Sequence, residues 1–240
     1  MKTPFTIKNF ITLVFIGLII LISFYIYQKS KGASDTNIFS RIYKNDKWTK
    51  GSGPGSTIEN TVEYRKLLQD YFNDHRFRTI IDLGCGDFQF MKLINIPSNK
   101  TYKGIDVVHE VIEEDKKLYG KENVQFYFIN DLYDIKQGDK LFRGDLLIIK
   151  DVLMHLPNAK VQYFIDKILP NFKYALITDT VIPNDNMNKD ILTGQWRPVD
   201  ITAPPFNLEN VVTIMDYEKA TNREKYWWKK RVYFYTNPRL

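Results

Sequence analysis

Gly84 and Gly86 stand on either side of Cys85, between Asp82 and Asp87 and directly after the apolar run Thr79 to Leu83. Neither glycine has a Cβ, so the backbone can turn sharply there and approach a ligand closely. The flanking carboxylates would repel a pyrophosphate, but they suit a ligand with a cationic amino acid end. Asp106 follows 20 residues after Gly86, where an acid accepts hydrogen bonds from ribose hydroxyls. The dinucleotide fingerprint requires a third glycine at position 89, which is Gln89. Further on, Asp151 and His155 are four residues apart. His155 has the ordinary pKa best suited to moving a proton, about 6.5. Asp151 offers a base, a metal ligand or a hydrogen-bond acceptor.

These residues need a sheet to present them. Thr79 to Leu83 reads as a parallel strand buried on both faces. Phe88 to Ile94 has helix-compatible spacing, which places the glycines between strand and helix, where open α/β sheets bind nucleotide-like ligands. Further strands are expected at 102–106, 124–129, 145–149, 174–178, 211–215 and 231–236, and a charged helix over 108–119 is stopped by Gly120. Val161, Phe164, Ile165 and Ile168 follow the i, i+3, i+4, i+7 rule of an amphipathic helix. Upstream, Ser56-x-x-Glu59 reads as a capping box opening a helix over 58–75. Pro183 to Asn210 is a long insertion, functional or disordered by its length. Within it, Trp196 and Arg197, with Asp200 beside them, suit an anionic or sugar-like acceptor. The aromatic and basic patch Lys225 to Lys230 suits stacking, a headgroup layer, or packing of the last strands on the core.

Asp82-Leu83-Gly84-Cys85-Gly86-Asp87 resembles motif I of the class I, seven-β-strand S-adenosyl-L-methionine-dependent methyltransferases. Ser52-Gly53-Pro54-Gly55-Ser56 resembles the entry segment of a subgroup often associated with glycan-modifying systems. The resemblance implies a three-layer, Rossmann-like, mostly parallel seven-stranded sheet with an antiparallel strand at one edge. It assigns donor binding to Asp82, Gly84, Cys85, Gly86, Asp87, Asp106, Val107, Asn130, Asp131 and Lys150, with Asp131 meeting the adenine amino group. Tyr64 or Arg65 is expected near the donor carboxylate. Lys150 to Leu156 resembles motif IV, so Asp151 and His155 border donor and acceptor as the catalytic candidates. Nucleic-acid amino methyltransferases carry an Asn/Asp/Ser-Pro-Pro-aromatic element there; this chain has Lys-Asp-Val-Leu, which argues against a nucleic-acid substrate.

The hydrophobic share of 44% indicates a packed core, and the formal charge of +6 permits an anionic partner without requiring one. Cys85 is the only cysteine, which excludes an intrachain disulfide and a cysteine-based zinc site. Nothing in the spacing of Asp151, Asp179 and Asp200 demands a metal. Phe10 to Tyr27 is free of charge and bracketed by Lys8 and Lys29; as a helix it covers about 27 Å, close to a hydrocarbon core. An uncleaved single-pass anchor is favoured over a signal peptide, because no small-x-small site directly follows Tyr27. The lysines and arginine after it favour a cytoplasmic domain. The expected plan is an anchor over 1–31, a linker over 32–50 and a methyltransferase domain over 51–240. The expected function is O-methylation of a glycan or lipid-linked sugar. A membrane-tethered scaffold that binds the donor without turnover and an NAD-dependent oxidoreductase are the alternatives.

Overall fold

The computed structural model describes residues 15–22, 34–49, 51–136, 138–182, 186–220 and 227–240. Met1–Ala33 and Ser34–Leu240 form two separate units. In the first, 15–22 is helical; the rest of the expected anchor over 10–27 lies outside the described residues. Among the described residues no helix is long and apolar enough to cross a membrane.

The second unit is built on seven strands: β1 (Thr79–Leu83), β2 (Thr101–Asp106), β3 (Val124–Phe128), β4 (Leu146–Lys150), β5 (Tyr174–Thr180), β6 (Val211–Ala220) and β7 (Trp227–Thr236). Their spatial order is β3-β2-β1-β4-β5-β7-β6. The first five are parallel; β7 runs antiparallel to both β5 and β6. The antiparallel strand is therefore one position in from the edge, and β6 takes the edge itself.

Burial on both faces explains why the central strands read as unbroken apolar runs. Ile80, Leu146, Ile148 and Leu176 point to one layer, packed with Tyr64, Leu68 and Phe72 of helix α2 (Val62–Asn73). Ile81, Leu83, Leu147, Ile149 and Ile177 point to the other. That second layer is covered by Phe39 and Ile42 of helix α1 (Asp35–Lys44) and by Val161, Phe164 and Ile168. Helix α3 (His109–Tyr119) follows β2, and α4 (Asn158–Tyr163) continues into a π-helical turn over Phe164–Ile168.

Several local expectations are corrected. The stretch 32–50, expected as linker with room for a short helix over 38–50, carries α1, which starts earlier, at Asp35, and is capped by the Ser34 hydroxyl, which accepts from the Asn37 amide. The helix expected from 58 begins at Val62; Thr57, not Ser56, accepts from an amide in that turn, that of Asn60 at 3.3 Å. Over 88–94 a single 3₁₀ turn, Met91–Leu93, replaces the expected helix, because Phe88 adopts a φ of 54°. The insertion is packed: Val199, Ile201 and Phe206 are buried in the core, and Gly194 and Arg197 donate backbone hydrogen bonds to the His155 and Met154 carbonyls. Of the 225–230 patch, the side chains before Lys229 lie outside the described residues.

Candidate active site

The parallel register places the end of β1 beside the end of β2, with Leu83 opposite Ile105. The chain then turns through Gly84 (φ 79°) and Gly86 (φ 59°). Gly84 and Cys85 both donate to the Ile105 carbonyl, at 2.7 and 3.2 Å, and Gly86 donates to Asp106 Oδ2 at 3.0 Å. A Cβ at Gly84 would stand 2.3 Å from Val152 Cγ2, so this position excludes a side chain by space as well as by conformation. Asp106 also accepts from the Val108 amide at 3.0 Å. Burial pushes its carboxyl upward against these backbone bonds.

A cleft opens over this loop. It lies beyond the carboxyl ends of β1, β2, β3 and β4, where such sheets bind ligands. Asp82, Gly84, Cys85, Gly86, Asp106, Val107, Lys150, Asp151 and His155, all expected at the site, line it together. One end is apolar, with Phe39, Val108, Ile129, Leu132 and Leu156; the other carries Ser52, Ser56, Asp82 and Lys150. Asp82 is buried, accepts the Tyr102 hydroxyl at 2.7 Å, and is pushed up to about 7 by burial.

The polar end is held by a compact ion cluster. Lys150 Nζ donates to the Gly55 carbonyl at 2.8 Å and to Asp151 Oδ2 at 2.6 Å, while Lys230 Nζ reaches Asp151 Oδ1 at 2.5 Å. Burial alone would raise Asp151, but the two ammonium groups outweigh it and hold the carboxyl well below the usual range. Of the three roles open to Asp151 in the sequence, the structure shows the acceptor: Lys150 and Lys230 each bond one of its oxygens. His155 differs. Its Nδ1 lies 2.9 Å from the Gln195 carbonyl, which can only accept, so Nδ1 carries the hydrogen and Nε2 the lone pair. Burial pushes the imidazole down to about 4, against the Gln195 bond. Its ring packs against Trp48 at 4.8 Å between centroids.

Other expected site residues stand elsewhere. Asp87 does not line the cleft; it accepts from the Ser52 amide and hydroxyl at 3.2 and 2.8 Å, pinning the Gly51–Ser56 segment onto the glycine loop. Asn130 is exposed, and its carbonyl accepts from the Thr36 amide and hydroxyl. Asp131 is saturated: Lys160 bonds both oxygens at 2.9 Å, Tyr133 N bonds Oδ1, and Asp35 N bonds Oδ2. A carboxylate accepts about four hydrogen bonds, so none remains for a base in the cleft. Arg65 lies outside the lining and donates to the Ile58 carbonyl at 3.1 Å. Arg197 is buried and donates to the Leu153 carbonyl and to Asn158 Oδ1, both at 2.8 Å. Asp200 accepts from Thr202 and from the Tyr233 hydroxyl. Trp196 is half-exposed and, like these two, outside the lining. None of the three lines the cleft, and Arg197 braces the 153–158 segment that carries His155.

What the sequence reading missed comes from the N-terminal side. Asp35, Phe39, Tyr43 and Trp48 line the cleft, and the Tyr43 hydroxyl sits 2.6 Å from Ser52 Oγ. Ser34 followed by Asp35 and the apolar pair Phe39 and Ile42 was the available signal.

No family model and no curated protein matches the sequence. Solved structures do. The N-terminal domain of EvdMO1, crystallised in the presence of SAH and D-fucose, superposes with a TM-score of 0.54 at 13% identity, over 85% of this chain and 97% of that one. N-methyltransferase NodS from Bradyrhizobium japonicum WM9, in complex with S-adenosyl-L-homocysteine, gives 0.54 at 11% identity, over 76% and 89%. The methyltransferase domain of bacterial CtHen1-CN gives 0.51 at 13% identity, over 72% and 97%. These likenesses establish the fold: the chain has the Rossmann-like seven-stranded sheet of class I S-adenosylmethionine-dependent methyltransferases.

Proposed function

We propose that this chain is an S-adenosyl-L-methionine-dependent methyltransferase acting on a hydroxyl of a glycan or lipid-linked sugar, held at a membrane by residues 10–27 with its cleft on the cytoplasmic side. The observation that carries the donor assignment is the glycine loop folded onto Asp106 at the strand ends, within a cleft that both line. The residues fit the group. Asp106 accepts from the Gly86 and Val108 amides and is also held by the Val107 amide; a carboxylate accepts about four hydrogen bonds, so it keeps acceptor capacity for a ribose hydroxyl. Lys150 donates to Gly55 and Asp151; an ammonium has three donors, and the third suits a ligand carboxylate. Asp82 suits the cationic amino group beside it.

When bound, the donor supplies a methyl group activated by its sulfonium. The protein must then hold the acceptor in line and remove the hydroxyl proton. His155 Nε2 is the base in this reading, with Gln195 fixing the tautomer and Asp151 anchored as an acceptor beside it. Three observations favour the sugar acceptor: the Ser52–Ser56 segment that clasps the loop, the aromatic Trp48 at the mouth, and the D-fucose supplied to the EvdMO1 domain. The membrane assignment rests on the charge-free run 10–27 alone.

The imidazole must be neutral to accept a proton, and activity is lost as pH falls through its folded pKa. With that value near 4, kcat should stay flat from pH 8 to about 5 and drop below it. His155→Ala should lower kcat by about 10²- to 10⁴-fold. A break in the wild-type profile near 6.5 would show that His155 titrates as a solvated residue and is not the base. The function itself is tested by incubating the full chain with methyl-labelled donor and sugar acceptors. Label in an alkali-stable sugar ether is the expected result. Binding of S-adenosylhomocysteine without release of methyl to any acceptor would favour the scaffold instead.

A further inference from the structure

At the apolar end of the cleft the lining is Phe39, Val108, Ile129, Leu132 and Leu156, a slot suited to a flat heteroaromatic ring. Asp35, in the first turn of α1, lines the cleft beside Leu132, from whose amide it accepts. Its carboxylate is almost completely buried. Oδ1 accepts from Lys160 Nζ at 2.5 Å and Oδ2 from the Leu132 amide at 3.1 Å. By the four-acceptor count each oxygen keeps one lone pair that a ligand donor can use. Lys160 also neutralises the charge and, by gripping Asp131 with the same ammonium, fixes the geometry of both acids.

We infer that the exocyclic amino group of the donor's adenine is read by Asp35, on the N-terminal helix, and not by Asp131 at the end of β3. This rests on the donor assignment proposed above. An amino group at C6 donates to a carboxylate, whereas the carbonyl of hypoxanthine would meet it lone pair to lone pair. Asp35 therefore determines base specificity, and Asp131 positions it. The inference also makes α1 part of the donor site, so the helix should tighten when an adenine occupies the slot.

The test compares binding of S-adenosyl-L-homocysteine and S-inosyl-L-homocysteine by the full chain in detergent. Wild type should prefer the adenosyl compound by roughly 10- to 100-fold, the range of a hydrogen bond to a charged group. Asp35→Asn should bring the ratio to within a few-fold, because the amide can turn a donor toward the hypoxanthine carbonyl. Asp131→Asn should keep the preference. A preference intact in Asp35→Asn, or lost only in Asp131→Asn, overturns the inference while leaving the donor reading standing. Absence of any S-adenosylhomocysteine binding by wild type removes both. Should Asp35→Asn not fold, amide hydrogen exchange in wild type decides. At matched occupancy the adenosyl compound should slow exchange over 35–44 more than the inosyl compound, and equal protection would overturn the assignment.

Discussion

Asp151→Ala is expected to destabilise the folded domain by about 3–5 kcal/mol, the usual cost of removing one partner from a buried charge cluster. The Lys150 and Lys230 side chains are each 4% exposed, and both ammonium groups bond Asp151. Without it two buried ammonium groups lose the carboxylate between them, and the Gly55 carbonyl and the Thr180 hydroxyl, 2.8 and 2.6 Å from them, carry no charge to replace it. Urea denaturation at pH 7 measures the loss. Asp151→Ala combined with Lys230→Met should recover part of it, since one uncompensated charge is removed. A loss below about 1 kcal/mol in the single variant would mean that water reaches the cluster and that the pairing is worth no more than a surface one.

Asp106→Ala is expected to weaken binding of S-adenosylhomocysteine by about 2–4 kcal/mol, roughly 30- to 1000-fold. Two losses add. The ribose hydroxyls lose a charged acceptor, and the Gly86 and Val108 amides, which donate to Asp106 at 3.0 Å each, lose the group that holds the glycine loop in its turn. Asp106→Asn separates them: one amide oxygen can still serve Gly86, so the loop should survive while the ribose bond weakens. Titration calorimetry on both variants reads the two terms. Unchanged affinity in Asp106→Ala would take this residue away from the ribose and the donor with it.

The scaffold of the site was legible because its signals are local. Apart from Thr79 and Asp82 in β1 and Lys150 at the end of β4, these strands are apolar since both faces are covered, and the two glycines mark positive φ at 84 and 86. Partnerships across the chain leave no such trace. Asp131 has the expected position at the end of β3, yet Lys160, 29 residues later, and Asp35, 96 residues earlier, consume its lone pairs. The role of Asp151 stayed open because Lys230, 79 residues on, is invisible in its neighbourhood. Arg197 resembled a ligand clamp, but its guanidinium fork matches the Leu153 carbonyl and Asn158 within the protein. The start of helix α1 was masked by its composition, with only Phe39 and Ile42 fully committed to the core among its polar residues.

The charge cluster beneath the cleft has a consequence for how the protein comes into being. Asp151 is completed by Lys230, which arrives only on β7, and the antiparallel β7 must slide between β5 and β6 to deliver it. A polypeptide emerging from the ribosome therefore carries glycines, acids and histidine for most of its synthesis without a finished catalytic floor. Such distant pairings close late in folding. Turnover should therefore be absent from any translation product released before residue 230, and it should appear together with docking of the final hairpin.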